Sequence, residues 1–386
     1  MAREHVSPTF ITGGMVLAPS GRIATGTVVV EDGRILEVSD RRAALPTDAK
    51  RIDARGRYVV PGFIDTHTHG FNGHDAMDGA AAVQGMSAEL ASHGVTGFFP
   101  TLIACPAGEL RQTVRRAAPA ETAGAAIYGV HVEGPYLDPA MPGMFDPRVF
   151  REFDRREVVD LKDAIGDLPV VMTVACQGER AVVAKALLAE GIIPSLGHCD
   201  GTYEDAVRAV ESGVRRATHC FNAMTGFHHR DPGIIGGVLT RGEVRAELIL
   251  DGLHVHPAAA SLLLSLKGPE GVILVTDSTV LSGHADGRYE WSGYSIEISE
   301  GAARIPAGNL AGSLLSMDQA VRNAVKILGA PLEKAVEMAS LTPARSAGID
   351  RVTGSLAHGK NADIAILDTD LKPVMTLVKG EIAWRS

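Results

Sequence analysis

Cysteine is scarce in this chain: Cys105, Cys176, Cys199 and Cys220 are the four, widely spaced and without a CxxC pair. That excludes a disulfide framework and a zinc ribbon, and it suits a reducing cytoplasm. No apolar run reaches the roughly 18 residues of a membrane span. The opening Met1-Ala2-Arg3-Glu4-His5 leads into strand-like sequence without an apolar segment of signal length, so neither export nor membrane anchoring is expected. Positive charge is short as well. A formal net charge of −9 argues against a broad nucleic-acid surface, so an anionic ligand has to be held at a local site. Also missing are a GxGxxG opening a helix after the first strand and a GxxxxGK[ST], which leaves a doubly wound, open-sheet nucleotide-binding domain with little support.

What is present is an ordinary globular composition, 45% hydrophobic and 22% charged over 386 residues, with ample apolar content for a sizeable core. From about Thr9 to Val60 the pattern is short strands and tight turns. Asp32-Gly33 stands between Gly26–Val30 and Arg34–Val38, a strong hairpin signal. The far end, Asp363–Asp368 and Val374–Ile382, has the same character. Neither end can bury a core alone, so residues 1–60 and 348–386 are expected to pair into one small β-sandwich domain. Between them, residues 61–347 alternate apolar runs with Ala-rich segments of helical period: Val83–His93, Ala181–Glu190, Tyr203–Ser212, Pro257–Leu266, Met317–Leu328 and Leu332–Ala339. This α/β alternation over roughly 300 residues predicts a closed (β/α)8 TIM-type barrel.

The chemistry starts at Asp65-Thr66-His67-Thr68-His69. On an extended strand alternate side chains share a face, so His67 and His69 point the same way and can grip one metal ion. Histidines in an apolar run are often ordinary core residues, but further potential ligands follow. Glu133, His198, His219 and Asp277 each close a short apolar run. Strands ending in ligands, one after another, are what a (β/α) barrel sets on its C-terminal rim. A helix cap would also account for an acid at Asp277, and a surface salt bridge for Glu133, although the apolar neighbours of Glu133 speak against the latter. Cys199 and Cys220 would face away from the adjacent histidines as core fillers.

The motifs, taken together, resemble the N-acetylglucosamine-6-phosphate deacetylases of the metal-dependent amidohydrolase superfamily. They are Pro61–Gly70 with its His-x-His, His131-Val132-Glu133-Gly134-Pro135, Gly197-His198 and Thr218-His219-Cys220-Phe221-Asn222-Ala223-Met224. His228–Gly233, Asp251-Gly252-Leu253-His254, Val275-Thr276-Asp277, Leu310–Ser313 and Gly359–Asp363 continue the series, so the resemblance spans nearly the whole chain. It implies a (β/α)8 barrel with a β-sandwich built from both ends. It implies that Glu133, His198 and His219 hold a catalytic metal, and that His67 and His69 hold a second ion sharing Glu133, with Asp277 beside both. One or two divalent ions per subunit are therefore expected, zinc first, with iron, cobalt or manganese also compatible with such donors. Asp277 becomes the acid/base. Arg230, with His229 beside it and the backbone amides of Asn222 and Ala223, becomes the phosphate site. A guanidinium fork and fixed amides suit phosphate without adding much net charge. His254 contacts the sugar, the Leu310–Ser313 loop closes over it, and a homodimer is implied because the arginine can reach in from a neighbouring subunit. His256 and His284 match no role and read as structural or surface residues.

The implied reaction is hydrolysis of the acetamide of N-acetylglucosamine 6-phosphate in amino-sugar catabolism. One departure bears on it: where the family commonly has a carbonyl-binding histidine, this chain has Phe145 in Gly143-Met144-Phe145-Asp146-Pro147. Loss of such a donor costs about 2.7–4 kcal/mol of transition-state stabilisation. Cys176-Gln177 also replaces an expected Pro-Glu. These changes keep open a paralogous deacylase for a different N-acyl amino sugar or N-acyl amine. A binding protein that keeps fold and metal without turnover is disfavoured by the complete ligand set, and a DNA-binding regulator by the lack of any basic helix pair or tail.

Overall fold

The computed structural model describes residues 8–19, 21–40, 49–117, 122–291, 293–306 and 308–386. The opening Met1–His5 therefore lies outside the described residues. The apolar runs of the middle segment become eight parallel strands: Phe63–Thr68, Val95–Ile103, Val130–Glu133, Val170–Val174, Ile192–Leu196, Arg216–Ala217, Arg245–Ile249 and Val272–Val275. Each pairs in parallel with the next. The ring closes at its rim, where Asp277 N–H donates to the His67 carbonyl at 2.9 Å and His69 N–H to the Ser278 carbonyl at 2.8 Å. Below that seam the Thr276 hydroxyl donates to the fully buried Asp65 carboxylate at 2.6 Å, tying the eighth strand to the first.

The helices fall where their period places them. Tyr203–Glu211 opens on a capping box of Thr202 and Asp205, and Pro257–Lys267 has proline at its first turn with the His256 ring accepting from Ala258 N–H. His256 is thus a cap, in keeping with a structural role. The expected helix at Ala181–Glu190 divides into a tighter turn, Gly178–Val182, and a shorter helix, Val183–Ala189. No helix among the described residues is long and apolar enough to cross a membrane.

Both chain ends enter one eight-stranded sheet. Its two parts join where Ile364–Leu367 pairs antiparallel with Tyr58–Pro61. Ile11, Val28 and Ile35 from one end share an apolar cluster with Ile364, Ile366 and Leu377 from the other. This is the reason neither end needs a core of its own. Among the elements without a sequence expectation is an antiparallel sheet of Gly287–Trp291, Tyr294–Ser299 and Ala302–Arg304, inserted after the eighth barrel strand.

The outer layer contains a buried ion pair with a stability consequence. In the helix Met317–Lys326, Asp318 accepts from Arg322 Nη1 at 2.6 Å and from His93 Nδ1 at 2.9 Å. Burial opposes its charge, yet the His93 hydrogen bond and the Arg322 guanidinium hold its carboxyl down at about 2. A depressed folded-state pKa gives stability that is complete above the unfolded value of 3.8 and lost as pH falls through about 2. The Asp318→Asn variant is expected to lose on the order of 2 kcal/mol at pH 7, and its deficit should shrink as pH falls from 4 to about 2. Urea midpoints of both proteins across that range measure it.

Candidate active site

The first barrel strand is not regular where it carries its histidine. Between Asp65 and Thr68 it has one residue more than its partner strand, a bulge that re-aims side chains. His67 and His69 nevertheless converge, with their Nε2 atoms 3.3 Å apart. His198, His219 and Asp277 sit just past the ends of the fifth, sixth and eighth strands, each with left-handed backbone at φ of 47°, 26° and 49°. The strand-end reading of these three is therefore corrected: the backbone has already left the extended form. Such φ values cost about 1–3 kcal/mol each in non-glycine residues and gather where function requires them. Gly143 lies so near the His198 ring that an added Cβ would stand 3.0 Å from it, at a φ of +60°. Cys199 and Cys220 are buried core residues; the Cys199 thiol lies 3.6 Å from that of Cys176.

Glu133, the last residue of the third strand and 1% exposed, divides its two oxygens between two groups. Its Oε1 lies 3.1 Å from His198 Nε2 and 2.9 Å from His219 Nε2, and those nitrogens are 3.1 Å apart. Its Oε2 lies 3.1 Å from His69 Nε2 and 3.4 Å from His67 Nε2. Asp277 Oδ1 borders the second group, 3.1 Å from His69 and 3.3 Å from His67, with its side chain 13% exposed. Asp277 is thus no helix cap, and Glu133 no surface ion.

The donor chemistry fits a cation. His198 Nδ1 donates to the Met141 carbonyl at 2.8 Å, and His67 Nδ1 lies 2.9 Å from the Glu247 carboxylate, an acceptor only. In the neutral rings the Nε2 lone pairs of both histidines therefore face the cluster, crowded against carboxylate oxygens. Lone pairs and anions so placed repel unless something positive stands among them. His67, His69 and Glu133 form one group that could hold a metal ion, and Glu133, His198 and His219 another. The surroundings are polarised accordingly. Burial opposes ionisation of Glu133, but His67, His198 and His219 hold its carboxyl well below the usual range. Asp277 is likewise lowered, against burial, by His67 and His69. His131, which packs its ring edge-on to His67 at 4.4 Å, is held neutral by burial.

A cavity of about 370 Å³ opens over this cluster. Asn222, Ala223, His254 and the loop residues Leu310 and Gly312 line it. His254 is fixed by Asp251, whose Oδ2 lies 2.6 Å from Nδ1, so that the donor is used there and Nε2 is left for a ligand. Phe145 is on the wall as well. Its ring stacks on His198, centroids 5.1 Å apart, and presents no polar atom. The expected phosphate donors do not all come together in the cavity of this chain. The Asn222 backbone N–H closes a turn on the His219 carbonyl at 2.9 Å and is not free for a phosphate. Arg230 and His229 are exposed, stand outside the cavity lining, and contact each other, Nη1 to Nε2, at 2.8 Å.

The sequence reading missed Glu247, Arg216 and Trp291. Glu247 and Arg216 are fully buried inside the barrel, and their signal was a charge within each of two short strands. Trp291 lines the cavity from the inserted sheet and donates Nε1–H to Asp75 at 2.8 Å.

Residues 58–383 match the profile of the amidohydrolase family. A barrel with two metal-competent histidine–carboxylate groups on its rim agrees with this, and the chain belongs to that family. It is 36% identical over 367 residues to the N-acetylgalactosamine-6-phosphate deacetylase of Escherichia coli O157:H7, covering 94% of each chain. It is 34% identical over 373 residues to the N-acetylglucosamine-6-phosphate deacetylase of Bacillus subtilis (strain 168), again covering 94% of each. The solved structure of an aspartate-to-alanine mutant of N-acetyl-D-glucosamine-6-phosphate deacetylase from Mycobacterium smegmatis, in complex with N-acetyl-D-glucosamine-6-phosphate, aligns at a TM-score of 0.90. Its identity is 30%, with 98% of this chain and 100% of that chain covered. Within the amidohydrolases, the chain is a member of the N-acetylglucosamine-6-phosphate deacetylase family.

Proposed function

We propose that this protein hydrolyses the acetamide of N-acetylglucosamine 6-phosphate to glucosamine 6-phosphate and acetate, in the cytoplasm, as a step of amino-sugar catabolism. The observation that carries the reading is Glu133 divided between two histidine pairs beneath a sugar-sized cavity, in a chain of this family. His67, His69 and Glu133 would hold one divalent ion, with Asp277 beside it, and Glu133, His198 and His219 the other, zinc being the expected metal. A divalent ion so held supplies Lewis acidity toward an amide carbonyl and lowers the pKa of water.

The remaining work belongs to the side chains. Asp277, with Oδ1 turned to His67 and His69, takes the proton of the attacking water at its other oxygen and returns it to the departing nitrogen, which must leave as a neutral amine. His254 orients the sugar through Nε2. Phe145 packs behind His198 and leaves the carbonyl without a donor from that wall. The phosphate is assigned to Arg230, assisted by His229 and the Ala223 segment. Since Arg230 lies outside the cavity lining of its own chain, delivery from a neighbouring subunit in a homodimer is the arrangement that suits it. Residues 1–60 with 348–386, and 61–347, are the domain division that goes with this reading.

The assay is release of free amine by metal-replete protein from N-acetylglucosamine 6-phosphate, from its galacto epimer and from unphosphorylated N-acetylglucosamine. The reading predicts rapid turnover of the phosphorylated gluco sugar and little of the unphosphorylated one. Preference for the epimer would favour the paralogous deacylase, which Phe145 and the similarity to the galactosamine enzyme keep in view.

A further inference from the structure

We infer that Glu247 is a positioning residue for the ion expected at His67, His69 and Glu133, and that it determines whether that site fills. The inference rests on the two-ion reading above. Glu247 is fully buried on the seventh barrel strand, and none of its oxygen contacts is incidental. Oε1 receives Arg216 Nε at 2.9 Å and Nη2 at 2.6 Å. Oε2 receives His67 Nδ1 at 2.9 Å and the backbone N–H of His219 at 3.1 Å. One carboxylate thus touches a ligand residue of each group, the first through its ring and the second through its backbone.

The paired guanidinium keeps this carboxylate ionised, and an ionised carboxylate only accepts. His67 must then carry its proton on Nδ1, which leaves the Nε2 lone pair directed at Glu133 and Asp277, the orientation a metal requires. The negative charge behind the ring also raises the donor strength of that nitrogen. Outer partners of this kind are worth about 10–100-fold in metal affinity. Arg216 is anchored in turn by Thr66 and Ser346, so the pair is fixed from both sides of the barrel interior. A pair serving packing alone would be complete with Arg216 and Glu247 and would have no need of His67.

The test counts ions per chain and measures their affinities by chelator competition, in wild type and in Glu247→Gln. Wild type is expected to hold two ions. In Glu247→Gln one ion should bind as in wild type, while the other should bind about 10–100-fold more weakly. Two ions at unchanged affinity in the variant would overturn the inference. A wild type that holds only one ion would instead defeat the two-ion reading. Should Arg216 without its partner prevent folding, Arg216→Met combined with Glu247→Gln removes both charges, and the same loss is expected. Histidine nitrogen NMR of the cadmium-loaded wild type needs no variant. Cadmium coupling at Nε2 of His67 with a proton on Nδ1 supports the inference, and the opposite tautomer contradicts it.

Discussion

Asp277→Asn is expected to lower kcat on N-acetylglucosamine 6-phosphate by about 10²–10⁴-fold, the usual worth of a positioned acid/base, while the ions remain bound. Asparagine fills the same space and can still turn its oxygen toward His67 and His69, which lie 3.3 and 3.1 Å from Oδ1 in the native protein. What it lacks is a site for the proton. The loss should therefore appear in kcat far more than in KM, and metal content measured on the same sample should stay near that of wild type. The partial exposure of Asp277 beside the cavity makes the assignment possible, since Glu133 is closed off from solvent and occupied on both oxygens. Full activity in Asp277→Asn would remove Asp277 from the reaction.

A larger effect is expected for Glu133→Gln, because it removes both metal-competent groups. Four histidine Nε2 atoms lie 2.9–3.4 Å from the two oxygens of Glu133. Glutamine offers one oxygen in place of two, and its NH₂ brings hydrogens to a place where nitrogen lone pairs converge. The negative charge that would offset two cations among buried rings is lost as well. Metal affinity should fall by at least about 100-fold, beyond what second-layer changes cause, and turnover should drop to background at ordinary metal concentrations. The variant should remain folded, because among the described residues the carboxylate's ion-pair partners are histidines, and no Arg or Lys is left unpaired. Elemental analysis after dialysis, with circular dichroism as a folding control, provides the comparison.

Much of the candidate site is legible in the sequence, for identifiable reasons. His67, His69, Glu133, His198, His219 and Asp277 each interrupt or end an apolar run, and a parallel barrel brings such ends to one rim. The helices were legible because their apolar period is a local signal, as at Tyr203–Glu211. What was not legible depended on distance or on backbone detail. The pairing of Arg216 with Glu247 spans 31 positions, and each alone reads as a stray charge in a short strand. The use of the Asn222 amide depends on a turn closed by left-handed residues at His219 and Phe221, which the residue types do not announce. Trp291 was hidden for another reason: its strand does alternate, half-buried and exposed residues in turn, but nothing local says that the inserted sheet folds over the cavity. Arg230 shows the limit of motif matching: the motif singles the residue out, but its side chain stands outside the cavity lining of this chain.

The central claim is that amide hydrolysis depends on ions held around Glu133. The most direct measurement is a titration of divalent metal into chelator-stripped protein, with free-amine release from N-acetylglucosamine 6-phosphate and bound metal followed in the same samples. The account predicts no turnover without metal and activity rising with ions bound up to two per chain. Sustained amine release by protein verified to be free of metal would contradict it.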